Sequence, residues 1–190
     1  MKYFLGIGLI IFAFVIFGGT FIPIIQQEIS YRTGHYDSPQ EIKLTAPIDT
    51  EFGILIPKIR ANAKVIPNVN PFISAEYQSA LTKGVAHAKG SSLPGEPGNI
   101  FIFSHSSADF LNATRYNSIF YLLNKLEKGD SIKLFYKEKE YDYLVETKGI
   151  VNADEVEYLT LETKEESLTL MTCWPPGTSL KRLIIQATRQ

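Results

Sequence analysis

Cys173 is the only cysteine in the chain, and Arg182 stands nine residues after it. A thiolate is a strong nucleophile. A guanidinium beside it favours the ionised form and can also hold a developing oxyanion. Taken singly, each residue has a plainer role: a lone cysteine often serves as a small buried hydrophobe, and an arginine opening a strand is often a solvated end. Together they say more. The segments SLTLMTC (167–173) and RLIIQAT (182–188) both read as strands, and the loop between them contains Pro175, Pro176 and Gly177. If the two strands pair as an antiparallel hairpin, Cys173 and Arg182 face each other at its open end, with Cβ atoms roughly 5 Å apart.

A thiol at its ordinary pKa is only slightly ionised at neutral pH, so a nucleophilic cysteine needs a proton partner. The chain has three histidines. His35 lies in a polar, turn-rich stretch and reads as solvated. His87 sits in GVAHAKG, just ahead of a glycine-rich loop, and competes for the role. His105 directly follows the apolar strand NIFIF and projects into the serine-rich turn SHSSADF. Strand ends that face loops are where rigid scaffolds present functional groups, which favours His105. Asp109 is close enough in sequence to orient it, although a loop carboxylate is more simply read as solvated.

These residues need a scaffold, and the rest of the chain reads as a mostly-β one. Residues 53–59 alternate, with Pro57 at a strand end, and 63–67 forms a second short strand. Residues 74–83 read as a short helix with Ser74 as N-cap and Gly84 as stop. Residues 89–98 (KGSSLPGEPG) are a loop, 99–104 a strand, and 117–126 (NSIFYLLNKL) an amphipathic helix. Residues 131–137 and 140–146 suit a hairpin, and 150–152 open another strand. Many short strands with one or two helices imply a barrel or sandwich.

Composition narrows the class. Lys plus Arg number 19 against 20 for Asp plus Glu, a net charge of -1, so no basic footprint for nucleic acid exists. One cysteine excludes an internal disulfide and a cysteine-built zinc site. Residues 3–25 carry no charge. At 1.5 Å per residue they make roughly 34 Å of helix, enough to span a bilayer. No small-residue cleavage pattern precedes Gln26, so an uncleaved anchor is expected. Lys2 precedes it and Glu28 is the first charge after it. The positive-inside rule then leaves the N-terminus cytoplasmic and residues 26–190 outside. The expected organisation is an anchor (1–25), a stalk (26–50) and a catalytic domain (51–190).

The quoted pieces LPGEPGNIFIFSH, FYLLNKLEKGDSI and TLMTCWPPGTSLKRLII stand in an order that resembles the sortase family. The resemblance runs over about residues 50–189 and rests on the TLxTC strand, the following arginine and the PGNxxxxxH segment. It implies a closed β-barrel of about eight strands and a cysteine transpeptidase with His105, Cys173 and Arg182 as its catalytic residues. His87 then matches a frequent non-catalytic histidine. Thr172, beside the nucleophile, becomes a candidate substrate contact. The implied substrates are secreted proteins with a C-terminal LPxTG-like sorting signal, and the implied acceptor is an amine of a cell-wall precursor; no cofactor or metal is implied. The chain departs from the family pattern at Ser104 and Ser106, where glycine and arginine often flank the histidine. No aspartate–aromatic lid motif precedes the domain and no second apolar segment follows it, so a pilus-polymerising type is the less expected one.

Two alternatives differ in class. A peptidoglycan L,D-transpeptidase would carry an arginine two residues after its cysteine, whereas Trp174 and Pro175 follow Cys173. A membrane-tethered binding or scaffold domain would bury Cys173 and survive its loss. Further pocket residues are expected from loops near 106–116 and 152–162.

Overall fold

The structure, a computed structural model, describes residue 29 and residues 46–106, 119–159 and 163–190. The apolar N-terminal segment, most of the stalk and Asp109 lie outside the described residues. Among the described residues no helix is long and apolar enough to cross a membrane.

The strands are β1 (Phe52–Ile56), β2 (Ala61–Val69), β3 (Val85–Ala88), β4 (Gly98–Phe103), β5 (Ser131–Tyr136), β6 (Lys139–Asn152), β7 (Glu166–Trp174) and β8 (Lys181–Arg189). One α-helix, α1 (Ser74–Leu81), lies between β2 and β3. The strands close into a barrel in the order β1-β2-β3-β4-β7-β8-β6-β5. Closure, rather than a two-sheet sandwich, leaves no free edge. The β2–β3 and β4–β7 pairs are parallel and the rest antiparallel.

Alternation along β4 explains why IFIF (100–103) is apolar throughout. Ile100 and Ile102 enter the barrel interior with Leu168, Leu170, Leu183 and Ile185. Phe101 and Phe103 belong to a second cluster with Ala86, Ala88 and the α1 residues Ala80 and Leu81. A strand covered on both faces loses the polar alternation of a half-exposed one. Full burial of Phe101 contributes on the order of 2–3 kcal/mol. The outer cluster also fixes α1 against β2 and β3, with Tyr77 edge-on to Phe103 at the carboxyl end of β4.

Several local expectations shift. Ser74 is the first helical residue rather than the cap; Ile73 holds the cap position and no side chain bonds there. The helix entry is held instead by Glu76, whose Oε1 accepts the Asn70 N–H at 2.7 Å. Gly84 does not end the helix by a left-handed turn. A Cβ there would lie 2.2 Å from the Lys64 carbonyl oxygen, so the close approach of two backbones requires the glycine. Within the expected helix 117–126, Tyr121–Lys125 form a 3-10 helix. Its exit is held by Lys148 Nζ, which donates to the carbonyls of Asn124 and Leu126, each at 2.8 Å. Residues 150–152 do not open a new strand. They are the far end of the long β6, paired with β8 at Ile150↔Leu183 and Asn152↔Lys181.

Candidate active site

Strand pairing brings Cys173, His105 and Arg182 to one end of the outer sheet face. The parallel β4–β7 register ends at Phe103↔Met171. It is carried one residue further by the Ser104 N–H, which donates to the Met171 carbonyl at 3.1 Å. His105 and Cys173 each lie two residues past that last rung. With a side-chain period of two, Cys173 shares the outer face occupied by Met171, and His105, just past the end of β4, lines the same cavity. Cys173 and Arg182 are direct partners in the antiparallel β7–β8 pair, so their side chains also share a face.

That face forms the floor of an open cavity of about 700 Å³, lined by His105, Cys173 and Arg182 and walled by Tyr77, Gln78 and Leu81 of α1. Gly177, Thr178, Ser179 and Leu180 of the β7–β8 loop form the opposite wall. Cys173 is partly exposed, as a nucleophile must be. Arg182 Nη1 donates to the carbonyls of Ser179 at 3.1 Å and Lys181 at 3.0 Å. A guanidinium has five donors, so this tether leaves Nε and Nη2 available for a ligand. His105 Nε2 lies 3.1 Å from Gln78 Oε1.

Thr172 also lines the cavity, but it is buried and its Oγ1 donates to the Ser104 carbonyl at 2.9 Å. Its hydroxyl therefore supports the floor from below. The Ser104 hydroxyl is buried without a hydrogen-bond partner.

His87 stands apart. It is 3% exposed, and its Nδ1 accepts the Asn68 N–H at 3.3 Å while Nε2 lies 3.0 Å from the Ser92 carbonyl. Those partners require a neutral ring with its proton on Nε2. Burial holds its pKa below the usual 6.5. His87 thus fastens the 89–98 loop to β2 and takes no part in the cavity. His35 lies outside the described residues.

Of the loops expected to add pocket residues, Ser106 reaches the wall, residues 152–159 do not line this cavity, and 107–118 and 160–162 lie outside the described residues. The α1 residues Tyr77, Gln78 and Leu81 were missed. Their spacing marks one face of a helix, but only the outer cluster says what that face covers. Among the described residues no group of three or more His, Cys, Asp or Glu is placed to hold a metal ion.

A sortase-domain family model matches residues 54–190. Sortase D of Bacillus subtilis (strain 168) is 33% identical over 141 residues, covering 72% of this chain and 63% of that protein. The chain thus matches less than two thirds of that relative's length. Among solved structures, sortase C-1 from Actinomyces oris superposes with a TM-score of 0.62 at 28% identity, covering 81% of each chain. Clostridium perfringens sortase C with the C-terminal cell wall sorting motif gives 0.61 at 26% identity, covering 76% of this chain and 72% of that one.

Proposed function

Because the chain belongs to the sortase family, we propose that it is a membrane-anchored cysteine transpeptidase using Cys173, His105 and Arg182. One observation carries the reading: the β7–β8 register pairs Cys173 with Arg182, and His105, just past the end of β4, lines the same open cavity. The other cysteine chemistries considered fit less well, since no arginine stands two residues after Cys173 and the thiol is not sealed in a core.

The substrate is a secreted protein with an LPxTG-like signal, in keeping with the sorting motif named for the Clostridium perfringens relative. The Cys173 thiolate attacks the scissile carbonyl carbon, and the carbonyl electron pair moves to oxygen. Arg182 donates hydrogen bonds to that oxyanion, which a permanent planar cation does well. As the tetrahedral intermediate collapses, the C–N bond breaks and the imidazolium of His105 protonates the departing amine. A thioester remains on Cys173. An incoming cell-wall amine then attacks it, giving its proton to His105, and the thiolate leaves. The C–S bond is exchanged for a new C–N bond with no external reductant or cofactor.

Residues 3–25 form the single-pass anchor in this reading, with the N-terminus cytoplasmic and the barrel outside, where sorting signals and wall precursors meet. The test is intact-mass spectrometry with a panel of LPxTG-like peptides, with and without an added amine. A mass gain equal to the N-terminal part of one peptide, discharged by amine and absent in Cys173→Ala, supports the reading. No adduct together with an alkylation-resistant thiol favours the binding module instead.

A further inference from the structure

Among the described residues one buried side-chain polar atom has no hydrogen-bond partner, the Oγ of Ser104. Ser104 is 5% exposed and belongs to the lining of the cavity that holds His105, Cys173 and Arg182. We propose that Ser104 is a substrate-contacting residue. Its hydroxyl stands idle in the free enzyme and donates to a main-chain carbonyl of the acyl-donor peptide once that peptide fills the cavity. The contact rests on the transpeptidase reading and adds to it a residue that fixes the peptide beside the reacting groups.

A buried hydroxyl without a partner has given up its water and gained nothing in return, so folded chains keep few of them. The main chain of Ser104 is fully engaged. Its N–H donates to the Met171 carbonyl at 3.1 Å, and its carbonyl accepts the Thr172 hydroxyl at 2.9 Å. With the backbone held on both sides, only the side chain is free to answer a ligand, by turning about χ1 between staggered positions. The other groups on this floor are already committed. Thr172 spends its hydroxyl on Ser104, and Arg182 spends Nη1 on the carbonyls of Ser179 and Lys181. Position names the ligand. Ser104 precedes His105 in the chain, and its carbonyl is bonded to the residue that precedes Cys173. A peptide whose scissile carbonyl sits at Cys173, with its leaving amine within reach of His105, therefore passes over Ser104. An extended peptide presents one carbonyl acceptor per residue, and a hydroxyl can donate to one of them. The hydroxyl thus gains on peptide binding the bond it lacks in the free protein.

The experiment uses the full chain in detergent, as wild type and Ser104→Ala. Thermal unfolding is measured on both, and single-turnover acylation is followed against concentration of the LPxTG-like peptide that wild type takes up best. Removing an idle buried hydroxyl leaves the unfolding temperature of Ser104→Ala equal to wild type or higher. The peptide concentration at half-maximal rate should rise about fivefold, with a much smaller change in the rate at saturation. A set of peptides with one backbone amide at a time replaced by an ester, whose carbonyl is the weaker acceptor, then locates the contact. At one position the ester should weaken binding to wild type and have a smaller effect on Ser104→Ala, the non-additivity expected of two groups that touch. A merely structural serine produces the reverse pattern: a lower unfolding temperature and ester effects that match in the two proteins. A half-saturating concentration equal to wild type, or a Ser104→Ala variant that unfolds at a clearly lower temperature, overturns the proposal. An adduct in wild type with no binding defect in Ser104→Ala removes this contact alone. No adduct with any peptide removes the transpeptidase reading, and the contact with it.

Discussion

Thr172 on β7 donates its hydroxyl to the carbonyl of Ser104, the residue that follows β4, so the residue before Cys173 is tied to the residue before His105. The bond is buried, and it joins the two strands at the point where their parallel ladder ends. It braces the segments that carry Cys173 and His105 from beneath the floor.

Thr172→Val keeps the shape and leaves the Ser104 carbonyl without that donor. The expected cost is about 1–3 kcal/mol of stability, because a buried acceptor loses its partner. Acylation should slow even at temperatures where the variant is fully folded. Thermal unfolding and single-turnover rates on the same sample check both effects. A rate equal to wild type would show that this bracing does not reach the chemistry.

Arg182→Ala should lower the acylation rate by about 10²–10³-fold, the usual effect of deleting an oxyanion donor. Arg182→Lys should recover only a small part, since an ammonium cannot donate to Ser179, Lys181 and an oxyanion in the same planar arrangement. Unfolding temperature should change little in either variant, because among the described residues the side chain bonds carbonyls within three residues of its own position. A lysine variant at wild-type rate would remove Arg182 from the chemistry.

His87 ties stability to pH. Burial lowers its pKa in the folded state, so the unfolded chain takes up a proton that the folded chain refuses. Its contribution is complete above about 6.5 and is lost as pH falls from there toward the lowered value. Unfolding curves from pH 8 to 5 should show wild type losing more stability than His87→Gln over that window, although the variant starts lower. Parallel pH dependences for the two proteins would refute the assignment.

Gly84→Ala places a methyl 2.2 Å from the Lys64 carbonyl oxygen, and that neighbour is backbone. A destabilisation of about 1–3 kcal/mol is expected from the forced separation of β2 from the start of β3. Denaturant unfolding measures it, and an unchanged midpoint would show that the junction yields freely.

The single cysteine makes topology measurable. In intact cells producing the full chain, a membrane-impermeant maleimide should label Cys173 and give no signal in Cys173→Ala. Labelling only after the membrane is opened would place the barrel on the cytoplasmic side and reverse the proposed orientation.

The candidate site was legible in the sequence because it rests on residue type and local spacing. A lone cysteine ending one strand, an arginine opening the next and a histidine following an apolar strand are features of local sequence, and the two-residue period of strands suffices to see them. The β7–β8 hairpin is likewise local, so the Cys173–Arg182 facing could be anticipated and appears in the register. Local periodicity failed where burial did not alternate. The far half of β6 is exposed on both faces, so 150–152 read as a separate strand rather than the end of a 14-residue one. Gly84 read as a helix stop because the sequence cannot show a second backbone passing close by. Tertiary structure alone decided the parallel β4–β7 pairing, which joins segments nearly 70 residues apart and brings His105 beside Cys173. It also decided that α1 covers the outer face of β4 and so delivers Gln78 to His105. Neither follows from local pattern, because barrel closure and the burial of Phe101 and Phe103 are satisfied only by the whole chain at once.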